Sequence, residues 1–271
     1  MKLIAHGGVG SPRDKDKKVE RAVKKGFKEE MSAFQAVIAV VERLENDPSF
    51  NAGTGSKLRL DGSVQMDAAV QSQENVGAVA CIEQIKNPIR AAEIVHDSPY
   101  VLLVGEPATD IAEKNDLKKG ELITEKRKKE LEEKREKLKG SKMKDIKDLY
   151  EKSQGGTVGC VAYEKGKAAA AVSTGGTSYC IRGRVGDSPL HGAGFYVGKN
   201  GAVVATGKGE EIIKQLSSKK CHDLIREHGI EQACKITVDD FPEDHSLGLI
   251  AVNEERTASA DNREMARGVL E

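Results

Sequence analysis

Tryptophan is absent from this chain of 271 residues, and aromatic residues make up only 4% of it. Holding nucleobases by stacking them on aromatic rings therefore has little to work with. Net charge is absent too, because 43 basic residues balance 43 acidic ones. Such a surface exerts no long-range pull on nucleic acid or an anionic membrane. No apolar run approaches the roughly 20 residues that span a bilayer. The opening MKLIAHGGVGSPRDKDKK is too poor in apolar residues to read as a secretory signal, so a cytoplasmic protein is expected. The five cysteines, Cys81, Cys160, Cys180, Cys221 and Cys234, form no CxxC pair. Scattered and odd in number, they read as reduced thiols that fill small core spaces. Six histidines form no HExxH and no Cys/His cluster at zinc spacing.

What is present begins with charge: Asp, Glu, Lys and Arg make up 32% of the chain. That fits the ion-pair-rich surface of a thermophile, and an ordinary solvated surface equally. The length allows one large domain or two smaller ones. KLIAHGG reads as a strand ending in a turn, and Arg13 to Glu30 as an exposed helix. Ser32 is placed to cap a second helix, whose apolar face (Ala33, Phe34, Val37, Ile38, Val41, Leu44) recurs at helical spacing until Pro48. SVQMDAAV, GAVACIEQI and YVLLVG read as strands. NPIRAAEIVHD reads as a helix with Asn87 as cap and Pro88 at its first position, and PATDIAEKN as a short helix. Residues 118–153 are dominated by Lys and Glu and predict a solvated helix or mobile linker, since Leu131 and Leu138 supply only one heptad step.

From Thr157 onward the pattern changes to hairpins of small residues. TVGCVAYEKGKAAAAVSTGG and AGFYVGKNGAVVATGKG each read as two strands around a turn. EEIIKQLSSKKCHDLIREHG and IEQACKITVDDF read as helices, and LGLIAVNEERTASAD as two closing strands. Strands and helices come in blocks rather than alternating. The expected fold class is therefore α+β, with antiparallel sheets covered by helices.

Most familiar catalytic signatures fail in detail. ATGKGEE is not a phosphate loop, because Ala202 stands where the first Walker glycine belongs and Gly209 where Ser or Thr belongs. No GxSxG elbow is present, and Cys221 and His222, adjacent on a helix, point apart. What remains is threonine beside glycine: Thr157, Thr174, Thr177 and Thr206, with Arg184 and Asp187 in RGRVGDSP between the hairpins. A threonine hydroxyl needs a nearby base to be a nucleophile. The one base it can carry itself is its own α-amino group, with an ordinary pKa of about 8, available only if it is the first residue. That requires a cut at the Gly156–Thr157 bond, where the Gly155–Gly156 pair permits unusual backbone geometry.

AHGGVG, FNAGTGS, DGSVQMDAAV, GGTVGCVA, STGG, GRVGDSPLHGAG, TGKGE, LGLIAVN and DNREM together resemble the plant-type L-asparaginase/isoaspartyl aminopeptidase family of N-terminal-nucleophile hydrolases, almost end to end. The resemblance implies a four-layer αββα fold as a single domain, cut before Thr157 into an α chain 1–156 and a β chain 157–271. It implies Thr157 as nucleophile and base, Thr174 as its orienting partner, and Thr206 with Gly207 as the oxyanion pair. Arg184 would take the substrate's α-carboxylate, Asp187 its α-ammonium, and Gly209 a further backbone contact, with Asn51 near the nucleophile. It implies no redox cofactor or catalytic metal. A structural sodium ion would be held by backbone carbonyls around Leu44, Glu45, Asp47, Phe50, Ala52 and Thr54. The implied activity is hydrolysis of L-asparagine and of β-aspartyl dipeptides through an acyl-enzyme, by a dimer of αβ units. A glycosylasparaginase-like activity and an uncleaved, non-catalytic relative are the alternatives.

Overall fold

A computed structural model describes residues 1–138 and 156–270. The architecture is mixed α+β, with two sheets and helices packed against them. The larger sheet has seven strands in the order β11-β1-β5-β6-β2-β3-β4. These are Lys2–Val9 (β1), Met66–Gln71 (β2), Val76–Ile82 (β3), Leu102–Val104 (β4), Val158–Glu164 (β5), Lys167–Thr174 (β6) and Met265–Leu270 (β11). Among the described residues, β3 and β4 are the one parallel pair of this sheet. The smaller sheet, β10-β9-β8-β7, is antiparallel throughout and comprises Phe195–Gly198 (β7), Gly201–Gly207 (β8), Leu247–Val252 (β9) and Thr257–Asp261 (β10).

Both hairpins form as the sequence predicts. Between β5 and β6, Lys165 and Gly166 both take positive φ (46° and 81°), as a type I′ turn requires to match strand twist. The central strands are buried on both faces, which small residues allow: Ala168 to Ala171 in β6 pass between neighbours without needing deep pockets. Apolar burial falls into three clusters. One joins the larger sheet to Asp16–Gly26 (α1), Ala33–Glu45 (α2) and Pro88–His96 (α3). A second joins the smaller sheet to Ser217–His228 (α7) and Ile230–Asp239 (α8). The third, with Ile4, Ala69, Val161, Val172, Phe195, Val204 and Ile250, lies between the sheets.

Ser32 caps α2 through a complete capping box: its hydroxyl accepts from the Gln35 amide while the Gln35 side chain accepts from the Ser32 amide. The helix ends at Glu45, with Asn46 as its C-cap, before Pro48 is reached. The Asn87 side chain makes no cap bond on α3. Its place is taken by Glu45 of the preceding helix, whose carboxylate accepts from the Ile89 amide at 3.0 Å and from Asn87 Nδ2 at 3.1 Å. A carboxylate at a helix N-terminus meets unsatisfied amides and the positive end of the dipole. Burial nevertheless pushes the Glu45 carboxyl up to about 8.

Three further differences have physical causes. The segment expected to be one helix after Gly207 breaks into Gly209–Gln215 (α6) and α7, because Leu216 adopts the left-handed conformation (φ 50°, ψ 50°). A last strand, β11, closes the larger sheet by pairing with β1, although Met265–Leu270 gives little alternation to read. In the charged segment, Glu125–Leu138 forms a helix (α5) that contributes to the core through the buried Leu131. That helix is tied down by Arg127 Nε to the Gly55 carbonyl at 2.9 Å and by Arg135 Nη2 to the Leu60 carbonyl at 2.6 Å. The rest of the predicted linker, 139–153, lies outside the described residues, as do Gln154 and Gly155. The remaining helix, Glu106–Lys114 (α4), follows β4. No helix among the described residues is long and apolar enough to cross a membrane.

Leu216 is half exposed, so its side chain loses little on removal, while its backbone carries the cost of the left-handed region. Leu216→Gly is expected to raise stability by about 1 kcal/mol, read as an upward shift of a few degrees in Tm. An unchanged or lower Tm contradicts this.

Candidate active site

The sheets carry the chemistry-bearing residues at their strand ends. Thr157 immediately precedes β5, Thr174 ends β6, and Thr206 and Gly207 end β8. Arg184 and Asp187 come from the irregular segment between β6 and β7, and Gly209 opens α6. A narrow cleft is lined by Gly156, Thr157, Thr174, Thr177, Arg184, Asp187, Gly207 and Gly209 among others. Residues as far apart in sequence as Gly156 and Gly209 thus share one cavity. Thr206 and Asn51 are not among the residues that line it.

Asn51, in the loop after α2, is buried and fully engaged. Its Nδ2 donates to the carbonyls of Gly156 and Gly176, both at 2.7 Å, and its Oδ1 accepts from the Lys57 amide at 2.8 Å. The Thr174 hydroxyl donates to the same Gly156 carbonyl at 2.7 Å and accepts from the Gly176 amide at 2.9 Å. Two side-chain donors therefore converge on the carbonyl that precedes Thr157. Thr206 Oγ1 accepts from the Val9 amide at 3.3 Å, joining β8 to the end of β1. Gly8 lies against the Thr157 backbone: an added Cβ would come 2.8 Å from the Thr157 carbonyl oxygen and 2.9 Å from its nitrogen, at φ +96°. No other residue type fits there. Gly8 stands in the quoted AHGGVG but its close approach could not be read from it.

At the other end of the cleft the groups are charged. Arg184 donates from Nη2 and Nε to Glu210 Oε1 at 2.8 and 3.1 Å. Burial pushes the Asp187 carboxyl up to about 7, against the pull of the nearby Arg184 guanidinium, and the Glu210 and Asp67 charges add to the rise. Gly209 sits so close that a Cβ would meet Arg184 Nη2 at 2.7 Å and Asp187 Oδ1 at 2.8 Å.

Two residues under the cleft were not singled out from sequence. Asp67 in β2 is fully buried, and its carboxylate accepts from the Cys81 amide at 2.9 Å. Burial raises its pKa, opposed by the Cys81 amide and then by Arg59 and Arg184. Arg59 is itself fully buried, bonded to the Cys180 sulfur and to the Gln65 carbonyl. A lone carboxylate inside the apolar run of MDAAVQ was the available signal for Asp67. His6 in β1 is buried as well. Burial drives its imidazole down to about 3, so it is neutral, with Nδ1 accepting from the Gly8 amide at 3.1 Å.

The loop from Leu44 to Thr54 can be tested for a cation. It folds back so that the Thr54 amide reaches the Glu45 carbonyl at 2.9 Å and the Phe50 amide reaches the Asp47 carbonyl at 3.1 Å. Gly53, at φ +51°, packs onto the same Glu45 carbonyl. These two carbonyl oxygens are thus engaged by amides of the same loop.

A family model described as Asparaginase matches residues 1–271. The chain belongs to the asparaginase family. Among curated proteins it is 36% identical over 273 residues to a plant-type L-asparaginase of Pyrococcus abyssi, covering 93% of this chain and 89% of that protein. It is 37% identical to a plant-type L-asparaginase of Thermococcus kodakarensis over 93% and 89% of the two chains. An isoaspartyl peptidase/L-asparaginase of Macaca fascicularis is 41% identical over 229 residues, 78% of this chain and 72% of that one. Relatives from both Pyrococcus and Thermococcus fit the charge-rich surface of this family member.

The charge chain under the cleft has a measurable consequence. Asp67→Ala removes the buried acceptor of the Cys81 amide and a negative charge that Arg59 and Arg184 both feel. The expected cost is about 1–3 kcal/mol in urea unfolding, with Asp67→Asn losing less because the Cys81 hydrogen bond is kept. Equal, small losses in both variants contradict this account.

Proposed function

We propose that the chain is an amidohydrolase that cuts itself before Thr157 and then hydrolyses L-asparagine and β-aspartyl dipeptides. The observation that carries the reading is the pair of hydrogen bonds from Asn51 and Thr174 to the Gly156 carbonyl, in the cleft that also holds Arg184 and Asp187. Donors aimed at a carbonyl stabilise negative charge that develops on its oxygen when a nucleophile adds. In the uncut chain that nucleophile is the Thr157 hydroxyl. Addition to the Gly156 carbonyl carbon and loss of the Thr157 nitrogen give an ester, which water hydrolyses. The products are a Gly156 carboxylate and a free Thr157 amine. The chain then exists as residues 1–156 and 157–271 in one four-layer αββα domain, a layering that the three apolar clusters support.

In the cut enzyme the Thr157 amine takes the proton from its own hydroxyl, directly or through water. The oxygen attacks the side-chain carbonyl of the substrate. The Thr206 hydroxyl and Gly207 amide receive the oxyanion, and Thr174 orients the nucleophile. The nitrogen leaves as ammonia or as a peptide amine, carrying the proton. Water then cleaves the β-aspartyl ester and L-aspartate departs. Arg184 suits a planar carboxylate and Asp187 an ammonium, while Gly209 keeps backbone close to both. The reading names no redox cofactor and no catalytic metal. Assembly of αβ units into a dimer and a structural sodium ion on the Leu44–Thr54 carbonyls are inferred from the family resemblance, and a cytoplasmic location from the scattered, unpaired pattern of the five cysteines.

Wild-type protein, incubated warm and denatured, is expected to yield a fragment whose first residue is Thr157, while Thr157→Ala stays full length and inactive. Thr174→Val, which removes one of the two donors, should slow cutting about 10²-fold or more. Mass spectrometry of a time course reads all three, and a wild-type chain that remains whole yet hydrolyses asparagine contradicts the proposed base. Asp187 must be ionised to bind an ammonium, and its pKa is raised to about 7. The carboxylate fraction falls as pH drops through that value, so kcat/KM should decline below pH about 7 with one proton. A flat profile down to pH 5 contradicts this assignment. Replacing sodium by choline at constant ionic strength should lower Tm if the loop binds the ion, and an identical Tm sinks that assignment.

A further inference from the structure

We propose that Glu210 is a positioning residue for substrate recognition, holding the Arg184 guanidinium from one edge so that Arg184 and Asp187 together fit the two charged ends of an α-amino acid. This rests on the amidohydrolase reading above and goes beyond it, since Glu210 does not line the cleft.

The geometry is side-on. A single oxygen, Glu210 Oε1, takes both Nε–H at 3.1 Å and Nη2–H at 2.8 Å. A guanidinium is a flat fork with donors along two edges, and fixing one edge fixes the plane and direction of the other. The plane is bounded as well: an added Cβ on Gly186 would meet Nη1 at 2.7 Å, and one on Gly209 would meet Nη2 at 2.7 Å. Arg184 is thus held close against both glycines, with Glu210 along its Nε/Nη2 edge. Glu210 is the second residue of α6, which begins directly after Gly207 and Lys208 at the end of β8. The element that ends in the oxyanion pair therefore also carries the carboxylate that aims Arg184.

Glu210 also sets the charge felt by Asp187. The charged groups facing Asp187 are Arg184, Glu210 and Asp67, from the segment before β7, from α6 and from β2. In the cut chain the Thr157 ammonium joins the same cleft. Of the standing groups, Glu210 and Asp67 favour the protonated form of Asp187 and Arg184 the ionised form. Removing the Glu210 charge shifts Asp187 toward the ionised form at a given pH.

A purely structural salt bridge makes a different prediction. The Glu210 side chain is 36% exposed, and exposed ion pairs contribute little to stability. The test is a comparison of wild type, Glu210→Ala and Glu210→Gln, each first confirmed as cut before Thr157 by mass spectrometry. The readouts are KM and kcat for L-asparagine, the pH profile of kcat/KM, and calorimetric binding of L-aspartate. Glu210→Ala is expected to raise KM and weaken L-aspartate binding about tenfold or more, with kcat changed less than about threefold and Tm nearly unchanged. Glu210→Gln keeps an acceptor oxygen without the charge. It should recover most of the loss in KM and move the acid limb of kcat/KM to lower pH. Wild-type KM and L-aspartate affinity in Glu210→Ala, or an unmoved acid limb in Glu210→Gln, overturns the proposal while leaving the amidohydrolase reading intact. A wild-type enzyme that neither hydrolyses asparagine nor binds L-aspartate overturns the reading, and this proposal with it.

Discussion

The Gly156 carbonyl is held at 2.7 Å by two side chains that arrive from opposite directions in sequence, Asn51 and Thr174. Everything around the cleft depends on that constraint. Asn51 can reach only because the loop after α2 is pinned by its own Oδ1 on the Lys57 amide and by its carbonyl on the Gly175 amide. Thr174 can reach only because β6 pairs with β5 in a register that puts Ser173 opposite Val158. Gly8 completes the cage by letting β1 lie against the Thr157 backbone. A peptide bond in such a cage has its carbonyl polarised, one condition for attack by a neighbouring hydroxyl.

The second constraint is electrostatic. Arg59, Asp67, Arg184, Asp187 and Glu210 bring two guanidinium groups and three carboxyl groups within each other's influence around the cleft. Buried charges persist only when opposite charges and hydrogen bonds compensate them. Here the compensation is close but uneven, and Asp187 is left with a raised pKa in the cleft. An ammonium arriving beside it would favour its ionised form, so binding and deprotonation are coupled. The polar rim of the cleft and the small residues of β5, β6 and β8 serve the same end. Small side chains let the sheets approach closely, and charge is confined to the strand ends.

Much of this was legible in the sequence because it is written in short-range terms. The two hairpins announce themselves through small and β-branched runs around EKGK and GKNG. The Ser32 cap announces itself by preceding an apolar face at helical spacing, and the structure adds its box with Gln35. The cleft residues Thr157, Thr174, Arg184 and Asp187 stood out as threonines and charges beside glycine, while Gly207 and Gly209 were named by the family resemblance. What could not be read depends on neighbours distant in the chain. Leu216 gives no local sign of a left-handed break. Glu45 caps a helix that starts more than forty residues later. Asp67 and Glu210 matter through the guanidinium groups that tertiary packing sets beside them. Leu131 looked like an isolated apolar residue in a charged run, yet one buried leucine with two arginine anchors docks α5.

The most direct test of the account is chemical: where the substrate's acyl group sits during turnover. Cut enzyme mixed with L-asparagine, quenched in acid within the first turnovers and digested, should carry a β-aspartyl adduct on the peptide that begins at Thr157 and nowhere else. An adduct on another residue, or steady hydrolysis with no adduct on that peptide at any quench time, contradicts Thr157 as the nucleophile.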